Sequence, residues 1–337
     1  MSETSSVESG ASPERRPVSE RLAARLRLGE RLLLVTHDRP DGDALGSMLA
    51  LGRAARAGGK TVRMVCGDVP RAYAFLAAGE TFVHPDDLRD AAAASDRVVI
   101  LDTCSLAQLT EVRDVIVSSW PNLLVIDHHR TGHDIAPLRW RDPSAAATGV
   151  MVAELLDLLG WPLDKAVAEP LMAAVCTDTG WLRFSSTDAR ALAAVGRCID
   201  AGVEPDGLYR ALYENDRPER LALLRRLLAS LRYHDDGRVA LMTLSVTDFT
   251  ETGATRDETE NLISEALRVG AVQVAVLLVE QEGLIRGSLR SKPTSGVDVA
   301  RLAGRLGGGG HARAAGFRLN GPLTEAPAKV LEALECH

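Results

Sequence analysis

What this sequence lacks narrows its chemistry before any motif is considered. It has no run of about 18 apolar residues, the least that a membrane-spanning helix needs, and no signal-peptide pattern. No membrane role is expected, and a cytoplasmic location is. It also lacks an excess of positive charge: 39 Lys and Arg stand against 46 Asp and Glu, a net charge of −7. That balance argues against tight binding of long duplex nucleic acid by bulk electrostatics, while a few placed cations can still hold a short oligonucleotide. The five cysteines (Cys66, Cys104, Cys176, Cys198, Cys336) are odd in number and show no CxxC spacing. They read as buried thiols in a reducing compartment rather than as a disulfide framework or a zinc site.

At 337 residues the chain is long enough for two domains. Residues 1–17 are rich in Ser, Glu and Pro and read as a disordered tail. A first domain is expected over 18–203, a helical connector over 204–235 and a second domain over 236–337. In the first domain, short runs of Val, Leu and Ile at 31–36, 61–65, 97–101 and 122–126 are spaced by helical patterns at 44–56, 106–118, 148–159, 165–177 and 188–201. Strands of that kind indicate an α/β fold, a parallel sheet with helices on both faces. In the second domain, strands at 239–245, 272–279, 284–291 and 316–319, with helices at 258–269, 298–305 and 324–335, suggest a smaller α+β unit with a mixed sheet.

The chain is organised around LLLVTHDRPDGDALGS, from Leu32 to Ser47. A buried strand runs straight into His37, Asp41 and Asp43, and a helix follows. Ligands at the carboxyl edge of an open α/β sheet sit where such sheets bind substrates. Two further strands end in acids: Asp102 in VVILDTCS, and Asp127-His128-His129 in LLVIDHH. Asp178 closes a helical pattern in CTDTGW. Singly, each acid reads as a cap or a turn. Gathered at one edge, they would repel one another unless cations neutralised them. An oxygen-rich set with a minority of imidazole and no thiolate suits one or two divalent ions, Mn²⁺ first, with Mg²⁺, Fe²⁺ or Co²⁺ as alternatives. Two such ions sharing a carboxylate would polarise a phosphoryl group and generate hydroxide.

A second cluster is Gly307–Gly310 before His311, in RLGGGGHARAAGF. Consecutive glycines let backbone N–H groups approach an anion. Arg290, in GSLRSK, is a candidate phosphate clamp.

These motifs together resemble the DHH phosphoesterase superfamily with its DHHA1 partner domain. The resemblance covers roughly residues 20–335 and is nearest to the bacterial nanoRNase and 3′-phosphoadenosine 5′-phosphate phosphatase group. It implies an active site in the cleft between the two domains. It implies one metal held by His37, Asp41 and Asp102, and a second held by Asp43, Asp102, His128 and Asp178. His129 would contact the scissile phosphate or the leaving oxygen, and Asp127 would orient the histidine pair. Arg290, Ser291, Gly308, Gly309, Gly310 and His311 would hold the far nucleotide, and Thr179, Gly180 and Phe184 would line the cleft. Expected substrates are di- to tetranucleotides and nucleotide bisphosphates, cleaved by a two-metal hydroxide mechanism to nucleoside 5′-monophosphates, and the expected assembly is a homodimer. Cyclic dinucleotides such as c-di-AMP are the alternative substrate class. A non-catalytic dinucleotide sensor, an inorganic pyrophosphatase and a processive exonuclease are the competitors. One departure stands out: Gln108 lies near where many relatives carry an arginine, which leaves Arg130 or Arg183 as replacements. His84, His133, His234 and His337 read as surface residues, and Trp140, Trp161 and Trp181 as packing residues.

Overall fold

A strand covered on both faces has no polar side, so it reads as an unbroken apolar run. The computed structural model describes residues 16–335, apart from the side chains of Arg16, Pro85, Trp120, His311 and Glu335. The expected tail, save its last two residues, and His337 lie outside the described residues. The chain divides into two compact units after Asn215.

The first unit carries five short strands: β1 (Arg31–Val35), β2 (Thr61–Val65), β3 (Arg97–Leu101), β4 (Leu123–Asp127) and β5 (Leu138–Arg141). They form one parallel sheet in the order β2-β1-β3-β4-β5. Its helices are α1 (Arg16–Leu28), α2 (Gly42–Ala57), α3 (Leu88–Ala93), α4 (Arg113–Ser118), α5 (Thr148–Leu159), α6 (Lys165–Asp178), α7 (Ala189–Asp200) and α8 (Pro205–Tyr213). Successive residues of a strand point to opposite faces. Leu32, Leu34, Val99, Leu101, Leu124 and Ile126 therefore pack with α1, α2, α5 and α6, while Leu33, Val35, Val98, Ile100 and Val125 pack with α3 and α4. This is the expected sheet with helices on both faces.

Two local expectations fail. The helix expected over 106–118 is a 3₁₀ turn, Leu106–Gln108, followed by α4. Asp38 draws the intervening chain away by accepting the Thr110 N–H and hydroxyl at 2.9 and 2.5 Å, and the Gln108 carbonyl accepts the Asp38 N–H at 2.8 Å. β5 was not anticipated at all. It is a four-residue edge strand in which buried Leu138 and Trp140 alternate with half-buried Arg139 and exposed Arg141.

The second unit holds α9 (Pro218–Ala229), β6 (Arg232–His234), β7 (Val239–Leu244), α10 (Val246–Thr252), α11 (Ser264–Leu267), β8 (Val274–Gln281), β9 (Leu284–Ser291), α12 (Val299–Arg305), β10 (Gly309–His311), β11 (Ala314–Asn320) and α13 (Ala326–Glu335). The sheet order is β10-β11-β9-β8-β7-β6, with only β7 and β8 parallel. That is the expected mixed sheet. One face packs on α9, α10 and α11 through Leu223, Leu227, Phe249 and Ile263, and the other packs on α12 and α13 through Leu302 and Val330. The helix expected over 258–269 is reduced to a 3₁₀ turn, Arg256–Thr259, and α11, because Asn261 turns the backbone left-handed at φ 62°. The expected connector, 204–235, holds α8 in the first unit and α9 in the second. Among the described residues no helix is long and apolar enough to cross a membrane.

Candidate active site

Seven acids and histidines gather at the carboxyl edge of the first sheet. β1 ends just before Thr36, whose hydroxyl donates to the Leu101 carbonyl at 3.1 Å and ties this turn to the end of β3. His37 follows. Asp41 is the N-cap of α2 and accepts the Ala44 N–H at 3.0 Å. Asp43 lies in the first turn, 1% exposed. Asp102 leaves β3 with φ 65°, a left-handed conformation that Asp tolerates better than most residues. His128 and His129 follow β4, and Asp178 ends α6.

α2 and α6 approach closely enough to bring Asp43 and Asp178 together. Gly42 permits this, since a Cβ there would collide with the Thr177 side chain.

The ligand-type atoms fall into overlapping groups, each within 4.8 Å: His37, Asp41 and Asp102; Asp43, His128 and Asp178; and Asp102, His128 and His129. Asp102 reaches both sides. Its Oδ2 lies 3.7 Å from His37 Nε2, and its Oδ1 lies 3.6 Å from His128 Nε2. His128 Nε2 also stands 3.7 Å from Asp43 and 3.3 Å from Asp178. The tautomer follows from the other ring nitrogen. His128 Nδ1 faces the Ala145 carbonyl at 3.2 Å, and a carbonyl only accepts. Nδ1 therefore carries the proton, and Nε2 offers a lone pair to the centre of the acids.

Thr148, the first residue of α5, was missed by sequence reasoning, because an isolated threonine carries no signal. Its hydroxyl donates to Asp102 Oδ1 at 2.8 Å and its N–H to Asp43 Oδ2 at 2.6 Å, while Gly149 N–H reaches Asp43 Oδ1 at 2.8 Å. The start of α5 thus uses its unpaired N–H groups to hold one acid, and its first hydroxyl to hold the other.

Burial, with the neighbouring carboxylates, pushes Asp43 and Asp102 well above the usual carboxylate range, and burial raises Asp178. Burial lowers His37, which favours its neutral, ligating form. Asp127 behaves differently. Burial works against its charge, but hydrogen bonds from His129 and Cys104 hold it below the usual range. Asp127 Oδ1 faces His129 Nδ1 at 2.8 Å and accepts its N–H at 3.1 Å. That bond raises His129 to about 9. Asp127 was expected to orient both histidines. It holds His129, and the Ala145 carbonyl holds His128. With Nδ1 committed to Asp127, His129 does not present that nitrogen as a ligand.

The donor set fits divalent cations: carboxylates that repel one another, with neutral imidazoles whose lone pairs face them. Gln108 accepts the Thr103 hydroxyl at 2.6 Å and helps fix the turn after Asp102. Trp181 packs edge-on against Tyr209 and Tyr213, at 5.0 and 5.8 Å, as a packing residue would. His84 and His133 are exposed and His234 is half-buried.

In the second unit Arg290 is half-buried on β9, lowered from its ordinary value by burial and by Arg286. Ser291 is buried, and its hydroxyl donates to the Val297 carbonyl at 3.0 Å, so it serves the fold. The expected glycine loop is in part β10. Gly308 and Gly310 press so closely on β11 that a Cβ at either would strike its backbone.

Two family models match the chain: the DHH family, N-terminal domain, over residues 31–175, and the DHHA1 domain over residues 236–335. The chain is 33% identical over 304 residues to the bifunctional oligoribonuclease and PAP phosphatase NrnA of Thermus thermophilus, covering 90% of this chain and 89% of that one. It is 26% identical over 292 residues to the Bacillus subtilis protein of the same name, covering 86% and 89%. Among solved structures, an exopolyphosphatase-related protein from Bacteroides fragilis matches with a TM-score of 0.89 at 25% identity, covering 95% of this chain and 96% of that one.

Proposed function

Because the chain belongs to the DHH family with a DHHA1 domain, and is thereby a hydrolase acting on phosphoester bonds, we propose that it cleaves di- to tetranucleotides to nucleoside 5′-monophosphates and 3′-phosphoadenosine 5′-phosphate to AMP. The observation that carries this reading is the meeting of Asp43, Asp102, Asp178 and His128 around one point. The two relatives named for oligoribonuclease and PAP phosphatase activity span nearly the whole chain and support it.

In this reading His37, Asp41 and Asp102 hold one divalent cation, and Asp43, Asp102, His128 and Asp178 hold a second, with Mn²⁺ the leading candidate. Bound there, the cations would neutralise charge on the phosphoryl oxygens and lower the pKa of an attacking water. The chain's own groups do the rest. Thr148 and Gly149 hold Asp43 and Asp102 against their mutual repulsion. His129, kept protonated by Asp127, gives the proton on Nε2 to the departing ribose oxygen. In the second unit Arg290 is the proposed contact to a substrate phosphate. The proposed setting is the cytoplasm, and the proposed assembly is a homodimer.

The test is a panel of a linear diribonucleotide, 3′-phosphoadenosine 5′-phosphate, a cyclic dinucleotide and pyrophosphate, each with and without Mn²⁺. Metal-dependent release of monophosphates from the first two is the expected result. Exclusive turnover of the cyclic dinucleotide would replace this substrate assignment. Binding without turnover would make the protein a sensor.

A further inference from the structure

Asp127 is completely buried, and its two oxygens have different partners. Oδ1 is taken by His129 through both the backbone N–H and Nδ1. Oδ2 accepts the thiol of Cys104 at 2.6 Å. A carboxylate pinned at one oxygen can still turn about its last side-chain bond; pinned at both, it cannot. No bulk water reaches this position to replace a lost donor, so an unmatched oxygen would carry the full cost of its burial.

Cys104 is itself held from several sides. It is 2% exposed, two residues beyond Asp102 on the turn that leaves β3. Its carbonyl accepts the His133 N–H at 2.8 Å, which closes the loop carrying the histidine pair. Gly132 of that loop packs on Sγ, and the Arg141 guanidinium lies beside the thiol. The thiol thus joins the Asp102 turn to the His129 loop through one buried carboxylate.

We propose that Cys104 is a positioning residue for the reaction, fixing the ring of His129 through Asp127. The inference rests on the reading of His129 as the proton donor to the leaving oxygen. A residue that merely fills space would affect stability alone. A positioning residue acts on the step that His129 serves, and its effect disappears when His129 is gone.

The test compares Cys104→Ala, Cys104→Ser, His129→Ala and the double variant Cys104→Ala/His129→Ala on a linear diribonucleotide with Mn²⁺. Loss of an outer-shell partner of this kind typically costs roughly 10–100-fold. That fall is expected in kcat of Cys104→Ala, with KM changed less than about 2-fold. Cys104→Ser keeps a donor and is expected to recover most of kcat. The double variant is expected to be no slower than His129→Ala, because coupled residues are not additive. A bis-aryl phosphodiester, whose leaving group needs no proton, should show little loss with Cys104→Ala. The His129 Nδ1–H resonance of the Mg²⁺-loaded protein gives a readout independent of turnover. It is expected to move in Cys104→Ala and to return in Cys104→Ser. Unchanged kcat with an unmoved resonance in Cys104→Ala overturns the inference, as do losses that multiply in the double variant. An inactive wild-type chain would overturn the functional reading instead, and the resonance would still decide the role of Cys104.

Discussion

Gly42, in the first turn of α2, lies directly against the side chain of Thr177, next to the last residue of α6. Each is adjacent to an acid of the site, Asp43 and Asp178. The packing of two helices therefore sets the separation of two carboxylates.

Gly42→Ala is expected to push the helices apart. The added Cβ would stand 2.8 Å from the Thr177 Cβ, and overpacking of this kind costs about 1–3 kcal/mol. Thermal unfolding without metal should report that loss. Titration with Mn²⁺ should also show weaker binding, which an ordinary core defect would not cause. Thr177→Ala on the same background should restore part of both.

Asp102→Asn makes opposite predictions with and without metal. Asp102 is buried among other carboxylates, so removing its charge should raise the melting temperature of the metal-free protein. Asn tolerates the left-handed backbone there and can still accept the Thr148 hydroxyl. The gain in melting temperature on adding Mn²⁺, which reflects binding to the folded state alone, should largely vanish. A full Mn²⁺ shift in Asp102→Asn would remove Asp102 from the ligand set.

The pH profile should follow Asp127. His129 is raised to about 9, chiefly by its hydrogen bond to Asp127. A raised imidazole keeps its proton as pH rises through neutrality and loses it near its folded-state value. Asp127→Asn removes the negative partner, so the ring should deprotonate at lower pH. The alkaline limb of kcat against pH should move down by about one unit or more. Superimposable profiles would argue against His129 as the proton donor.

Acid stability of the second unit should depend on Glu258. Arg217 donates to both of its oxygens at 2.9 and 2.7 Å and, with the Thr255 contacts, holds it at about 2. A depressed carboxylate stabilises the fold above its unfolded pKa, and that stability fades as pH falls through the folded value. The window here runs from roughly pH 4.5 down to about 2. Glu258→Gln should cost about 2 kcal/mol at pH 7, allowing for the partial exposure of Arg217. The difference from wild type should close across that window, as followed by chemical denaturation at several pH values.

The acids of the site other than Asp178, which ends α6, were legible because they follow unalternating apolar strands. That pattern gives both the sheet and the edge to which its ligands point. Thr148 and the Ala145 carbonyl were not legible, because backbone groups and isolated hydroxyls have no signature until the fold brings them to a carboxylate. β5 escaped because Arg139 and Arg141 break its apolar run. The glycine run carries two demands that look the same in sequence, close strand contact and room for an anion, and only the fold shows that Gly308 and Gly310 meet the first, against β11. The helix expected over 258–269 failed at Asn261, whose left-handed turn a periodicity count does not see.

The contacts of Thr148 and Asp178 also set an order in time. A nascent chain that has emerged through His129 already carries His37, Asp41, Asp43, Asp102 and His128. It lacks the N–H groups of Thr148 and Gly149 that hold Asp43, and it lacks Asp178. The cluster closes only after α5 and α6 have been made and have docked. The site thus matures late within its own unit, after translation has passed residue 178.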